Sequence, residues 1–244
     1  MMYFLDTTET VADGVGFSQF GILHLMWLAV LLLLTIGNIL IYRLLSQKGR
    51  ACWKKIVAVL LILDELFKVV MLLIGDRYAA SYLPLHLCSI NIFLIAIHAW
   101  RPSKLLGGYL YTVGIPGAMA ALLFPSWTAL PLGNFMHIHS FSVHILLALY
   151  PIVLLSSGEL NPQPKQMHKY LLLLVAMAIP IYGINLLLDT NFMFLMSADP
   201  GNPLYIFEQM WGNHLFGFPV IIAGVLFVMY VPLIIYRGLK AKNV

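Results

Sequence analysis

Charge and cysteine are scarce in this chain. Charged residues make up 10% of its 244 residues and hydrophobic residues 61%, whereas a soluble globular protein carries about 25% charged residues. This shortage excludes a soluble fold, and the mean hydropathy of +0.90 is typical of a membrane protein. Nucleotide-binding glycine patterns and internal repeats are also missing. The small net charge of +4 gives no reason to expect a nucleic-acid partner.

Long apolar runs dominate the sequence instead. Seven of them approach the ~20 residues that a helix needs to cross the hydrocarbon core of a bilayer. We therefore predict an all-α fold, a polytopic bundle of seven transmembrane helices that forms one domain over residues 1–244. The predicted spans are 20–42, 56–74, 83–100, 105–124, 135–155, 170–188 and 215–236.

The basic residues orient these spans. Every lysine and arginine except Lys68 and Arg77 falls in alternate connections or in the C-terminal tail, and such an excess marks the cytoplasmic side. We therefore predict an extracellular segment 1–19 and a basic cytoplasmic tail 237–244. The first apolar run is too long for a signal peptide and follows acidic residues, so we expect it to be retained. The bilayer then separates Cys52 from Cys88, and no disulfide is expected.

Three charged residues interrupt the second apolar run: Asp64, Glu65 and Lys68. An ionisable group near the bilayer centre costs a few kcal/mol, so such groups face a protein interior or a wet cavity. Lys68 stands four residues after Asp64 and three after Glu65, and at helical spacing it can pair with either. The group is either a structural ion cluster or part of a functional site.

Other polar residues within the spans gather in the predicted outer halves. This distribution predicts a cavity between the helices that opens outward, with Asp64, Glu65 and Lys68 as its floor. We take these three as substrate-binding candidates, together with His24, His86, Asn91, His137, Asn185, Asp189 and Asn191.

A thiol and imidazoles at similar depth suggest nucleophilic acyl transfer. An imidazole converts a thiol to the thiolate and later protonates the leaving group. Cys88 is therefore the candidate nucleophile, about five residues into its span, with His139 or His144 as the base. Asn91 shares the face of Cys88, whereas His86 lies about 200° away around the helix. The alternative role for Cys88 is that of a small packing residue.

Two further functions remain open. A zinc-dependent hydrolase would use His137, His139 and His144 with Asp64 or Asp189, but one regular helix cannot present all three imidazoles to one ion. We assign no metal and no cofactor. A small transporter or channel would use the Asp, Glu, Lys and His side chains as a polar relay. The predicted inner halves are almost wholly apolar, which favours a site with one opening.

Three segments carry a family resemblance: 83–89 (LPLHLCS), 139–144 (HSFSVH) and 185–195 (NLLLDTNFMFL). In this order they resemble the bacterial YwaF-like integral membrane family. That family is similar to eukaryotic transmembrane acyltransferases that move fatty acyl chains onto lyso-ether phospholipids through a cysteine.

The resemblance spans nearly the whole chain. It implies a multi-pass protein of the bacterial cell membrane, a phospholipid or fatty-acyl lipid as partner, Cys88 as nucleophile and His144 or His139 as base. We therefore predict an acyltransferase or acyl hydrolase.

Overall fold

The computed structural model describes residues 2–198 and 202–242. Within these residues the backbone is all helical, without strands, which confirms the predicted fold class. The nine α-helices are α1 (Ile22–Leu44), α2 (Gln47–Ile74), α3 (Leu87–Trp100), α4 (Lys104–Tyr109), α5 (Ile115–Leu123), α6 (Phe135–Ser156), α7 (Met167–Leu188), α8 (Tyr205–Trp211) and α9 (Gly217–Lys242).

Six helical segments are long and apolar enough to cross a membrane: Ile22–Leu44, Ala80–Trp100, Lys104–Leu123, Phe135–Ser156, Pro164–Leu188 and His214–Leu239. They confirm a multi-pass membrane protein. Helix α2 is not among the six, because Asp64, Glu65 and Lys68 interrupt its apolar part. Its 28 residues extend about 42 Å at the usual rise per residue. The seventh span therefore stays a prediction.

Helix α6 is the centre of the bundle. Most of its side chains are buried, and α1, α2, α3 and α5 pack around it. Asn134 caps its first turn by accepting hydrogen bonds from the backbone N–H groups of Met136 and His137. The same amide donates to the carbonyls of Tyr3 and Asp6. The cap therefore ties the N-terminal segment to the central helix.

The predicted fourth span is not one continuous α-helix. It consists of α4, a π-helical turn over Leu110–Gly114 and α5. Pro116 stands at the start of α5 and has no N–H to donate, so the regular hydrogen-bond ladder cannot pass through it. Two hydroxyls of this turn connect it to α9. The Tyr111 hydroxyl donates to the Met229 carbonyl, and the Thr112 hydroxyl lies 2.6 Å from the Tyr230 hydroxyl.

The outer surfaces of α1, α7 and α9 expose large apolar side chains. Leu33 is 70% exposed, Leu187 84% and Phe227 67%. A contiguous apolar surface of this kind is stable against lipid and not against water. Helix α9 continues to Lys242, so the described part of the predicted basic cytoplasmic tail is helical, and its side of the membrane stays a prediction. Residues 243–244 of that tail lie outside the described residues.

Glu159 and three side chains around it, those of Tyr42, Lys54 and Arg50, form a polar cluster at the end of the bundle that carries the basic residues. We name this cluster the Glu159 clamp. Glu159 follows α6 and accepts hydrogen bonds from the Tyr42 hydroxyl and from Lys54 Nζ, both at 2.9 Å. Arg50 lies 3.5 Å from the same carboxylate. Burial raises the pKa of Glu159, but the hydrogen bonds from Lys54 and Tyr42 and the charges of Lys54 and Arg50 outweigh this effect. The pKa therefore lies below its ordinary value of 4.5.

The clamp should make stability depend on pH. A carboxyl whose pKa is lowered by folding stabilises the protein above its unfolded pKa, and this contribution is lost as the pH falls through the folded value. At pH 7 we expect Glu159→Gln to lower the free energy of unfolding by about 1 kcal/mol, since solvent screens a half-buried pair. Thermal unfolding in detergent should show the gap between wild type and variant closing below about pH 4. A gap that does not change with pH would contradict this assignment.

Candidate functional site

The three charged residues in the apolar part of α2, Asp64, Glu65 and Lys68, face the interior of the bundle. Lys68 Nζ lies 2.5 Å from Glu65 Oε1, and the two side chains are 8% and 9% exposed. Lys68 therefore pairs with Glu65 and not with Asp64, a choice that spacing alone left open. Removed from water, each charge of this pair depends on the other.

His139 of α6 lies between the two carboxylates of α2. Its Nδ1 is 3.3 Å from Asp64 Oδ2, and its Nε2 is 3.9 Å from Glu65 Oε2. The Ser142 hydroxyl lies 3.1 Å from both oxygens of Asp64. We name Asp64, His139, Glu65 and Lys68 the charged cluster. Acidic and basic groups alternate in this order, so the cluster links α2 to α6 electrostatically.

His144, one turn further along α6, has a defined tautomer. Its Nδ1 lies 2.6 Å from the Ser140 carbonyl, and because a carbonyl only accepts, Nδ1 must carry the hydrogen. Nε2 is left with a lone pair, as a general base requires. The ring stacks on the indole of Trp127 at a centroid distance of 5.4 Å.

Trp127 is a site residue that sequence reasoning missed. It lies between α5 and α6, is buried, and its Nε1 has no hydrogen-bond partner in the described part of the chain. No motif marks it. The only signal was a tryptophan in a short connection at the end where the predicted polar residues gather.

Cys88 lies closer to the helix end than predicted. It is the second residue of α3, because Pro84 holds Leu83 in extended backbone (φ −55°, ψ 145°) and the helix begins only after His86. The first N–H groups of a helix have no acceptor within it and can donate to an anion. Helix α2, which carries Lys68 and Glu65, packs against α3.

His86 stands two positions before Cys88 and is the residue immediately before α3. Its hydrogen bond is to the 185–195 segment, and in residues 2–198 and 202–242 it bonds neither Lys68 nor His144. Among the described residues, neither His139 nor His144 makes a direct hydrogen bond with the Cys88 sulfur.

Two of the predicted motif segments meet at this point. The ring of His86, in the 83–89 segment, contacts Phe192 edge to face at 5.2 Å and accepts a hydrogen bond from the Met193 N–H at 3.4 Å. Phe192 and Met193 belong to the 185–195 segment. The loop after α7 therefore lies against His86, the residue that precedes α3.

The amides of the 185–195 segment hold that loop in shape. Asn185 Oδ1 accepts hydrogen bonds from the Phe192 N–H at 2.8 Å and from the Thr190 hydroxyl at 3.0 Å. Asn191 Oδ1 accepts one from the Met196 N–H at 3.0 Å. Asp189 ends α7 in the left-handed conformation, with φ 52°. The side chains of Asn185 and Asn191 and the backbone of Asp189 therefore shape the loop that lies against His86, and the charged cluster includes none of the three.

His24 and His137 have both ring nitrogens engaged. His24 accepts from the Phe20 N–H at 2.8 Å and contacts the Leu122 carbonyl at 2.7 Å. His137 contacts the Leu130 carbonyl at 3.0 Å, and its Nε2 accepts from the Trp27 indole at 2.9 Å. Both imidazoles thus connect helices and offer no free nitrogen to a ligand.

The donors for a zinc ion do not converge. In residues 2–198 and 202–242, no group of three or more His, Cys, Asp or Glu side chains is arranged to hold a metal ion. His139 faces the carboxylates of α2, whereas the nitrogens of His137 bind Trp27 and Leu130. The zinc alternative therefore has no geometric support here.

Comparison with known proteins places this site within one family. The model of the TMEM164 family matches residues 19–230, a stretch that contains Cys88, His144 and the whole charged cluster. No curated protein and no solved structure matches the chain. Since the matched stretch is most of the sequence, this membrane protein belongs to the TMEM164 family.

Proposed function

We propose that this protein transfers acyl chains between membrane lipids through a thioester on Cys88. One observation carries the proposal: the free thiol stands in the first turn of α3, two positions after His86, which bonds the 185–195 segment. Helix α3 packs against α2, which carries the buried Lys68–Glu65 pair. A thiol in the first turn of a helix that packs against buried charges suits a nucleophile of acyl transfer. Hydrolysis is the same reaction with water as acceptor.

The chemistry divides into two balanced halves. In the first, His144 Nε2 takes the thiol proton, the sulfur attacks the ester carbonyl of a donor phospholipid, and the carbonyl–oxygen ester bond breaks. The departing lyso-lipid oxygen takes the proton from His144, leaving a thioester. In the second, His144 accepts the proton of a lyso-lipid hydroxyl, which attacks the thioester, and the released sulfur regains the proton.

His144 suits the role of base better than His139 does. The Ser140 carbonyl fixes its tautomer, so Nε2 is free to exchange a proton. His139 has a carboxylate facing each nitrogen. In this proposal the charged cluster holds Lys68 near the thiol, where its charge favours the thiolate.

The opposite end of the bundle supports an enzyme over a transporter. Its few interior polar groups bond to one another: the Trp53 indole donates to Asn38 Oδ1 at 2.8 Å, and the Tyr150 hydroxyl lies 2.9 Å from His98 Nδ1. The Glu159 clamp lies at the same end. A transporter needs an exit there, whereas an enzyme of one leaflet does not.

We further propose seven spans, with α2 as the seventh, and the N-terminus outside the cell. The chain would be a member of the bacterial YwaF-like branch in the cell membrane. Cys52 tests this orientation, because it is exposed and falls on the proposed inner side. In a Cys88→Ser background, a membrane-impermeant maleimide should label Cys52 only after intact cells are permeabilised. Labelling before permeabilisation would reverse the topology.

The activity itself is testable with defined lipids. Purified protein is reconstituted in vesicles of phosphatidylcholine that carries deuterated acyl chains, and a lyso-phospholipid is added. We expect deuterated chains to appear on the lyso-phospholipid, measured by lipid mass spectrometry. The rate should be unchanged in Cys52→Ser, the matched control for the second thiol. If chains move neither to the lyso-phospholipids tested, ester- and ether-linked, nor to water, the proposal is wrong.

A further inference from the structure

Asn91 of α3 is a buried polar residue whose side-chain oxygen lacks a partner. The residue is 2% exposed, and among the described residues its Oδ1 has no hydrogen-bond partner. A buried amide without a partner loses its hydrogen bonds to water and gains nothing in return. Such a group needs an explanation, and a ligand that binds it is one.

The position of Asn91 relates it directly to Cys88. Three residues separate the two on α3, so their side chains share one face of the helix and lie one turn apart. Asn91 is buried, and α3 packs against α2 and α6, the helices that carry the charged cluster. The face that carries Cys88 and Asn91 therefore lies inside the bundle and not against lipid.

Acyl transfer at Cys88 forms an oxyanion that Asn91 can stabilise. When the sulfur adds to an ester carbonyl, the carbonyl oxygen becomes an oxyanion, and preorganised N–H donors must stabilise it. The first intrahelical bond of α3 is donated by the Ile90 N–H, to the His86 carbonyl. Earlier N–H groups of that turn have no acceptor within the helix. A half turn about the last side-chain bond presents the NH2 group of Asn91 in place of its oxygen.

On the basis of the proposed function, we propose that Asn91 is a catalytic residue. Its side-chain NH2 group donates a hydrogen bond to the oxyanion formed at Cys88. The first-turn N–H groups of α3 are the other donors. The ligand that satisfies Asn91 is thus the carbonyl group of an ester or thioester. No proton or electron moves to the amide, and only its hydrogen bond strengthens as charge develops on the oxygen.

The test compares two reactions of the same thiol in purified protein. Acylation by p-nitrophenyl butyrate passes through an oxyanion, whereas alkylation by iodoacetamide displaces iodide and forms none. In Asn91→Leu, which keeps the branching at Cγ and removes both polar atoms, acylation of Cys88 should slow on the order of 100- to 1,000-fold. Alkylation should change less than about twofold, and Asn91→Ser should recover part of the acylation rate.

Stability provides the matched control. Because Asn91 Oδ1 has no hydrogen-bond partner in the described part of the chain, Asn91→Leu should unfold at a temperature no lower than wild type. Thr35 Oγ1 of α1 is also buried and unpartnered in the described residues, so Thr35→Val should match this stability effect and leave acylation unchanged. Equal loss of acylation and alkylation in Asn91→Leu, or normal acylation, would overturn the inference. A wild-type Cys88 that is alkylated and never acylated would instead overturn the proposed function.

Discussion

Cys88→Ala is expected to abolish acyl transfer, and His144→Ala to slow it on the order of 100- to 10,000-fold, because one supplies the attacking sulfur and the other moves its proton. Since the two act on the same step, the double variant should be no slower than Cys88→Ala alone. The rates are measured as transfer of deuterated chains between lipids in vesicles.

The controls distinguish chemistry from folding. Cys88→Ala removes one partly buried sulfur and should leave the unfolding temperature nearly unchanged. His139→Ala is the comparison for His144→Ala, because its imidazole lies on the same helix but faces the carboxylates of α2. Full transfer activity in Cys88→Ala would eliminate the thioester. A large loss in His139→Ala with none in His144→Ala would move the role of base to His139.

Lys68→Met should destabilise the protein by about 3–5 kcal/mol, the usual effect of removing one partner from a buried ion pair. The change leaves the Glu65 carboxylate, whose side chain is 9% exposed, without its cation. Replacing both Lys68 and Glu65 by methionine should restore most of the loss, since no buried charge of that pair remains. Chemical unfolding in detergent gives the three free energies.

The matched control for this pair is Asp64. It stands on the same helix turn, but its carboxylate bonds Ser142 and faces His139. A double variant of Lys68 and Asp64 should therefore stay as unstable as Lys68→Met, because Glu65 is still uncompensated. Equal recovery in both double variants would mean that Lys68 is shared between the two carboxylates.

The fold class could be predicted from the sequence because apolar length and charge asymmetry are properties of the chain itself. The interruption of the fourth span and the start of α3 could not be predicted equally well. Both depend on proline: Pro116 has no N–H to donate, and the ring of Pro84 keeps Leu83 out of the helical conformation. Cys88, predicted to lie about five residues into its span, is therefore the second residue of α3.

The sequence predicted which charged residues belong to the candidate site but not which of them pair with one another. Spacing on α2 indicated that Lys68 pairs with a carboxylate, but the choice of Glu65 depends on His139 across the interface. Nor could sequence decide between His139 and His144 as the base. His139 faces Asp64 and Glu65 of another helix, whereas the partner of His144 is Ser140, on its own helix.

Acyl transfer through a thioester on Cys88 is tested most directly by the mass of Cys88 during turnover. Protein is mixed with vesicles of deuterated-acyl phosphatidylcholine without an acceptor, quenched in acid, digested, and the Cys88 peptide measured by mass spectrometry. We expect one deuterated acyl chain on Cys88, removed by neutral hydroxylamine as thioesters are, and none on Cys52. Acyl transfer that proceeds while Cys88 stays unmodified at every time point would mean that Cys88 forms no thioester.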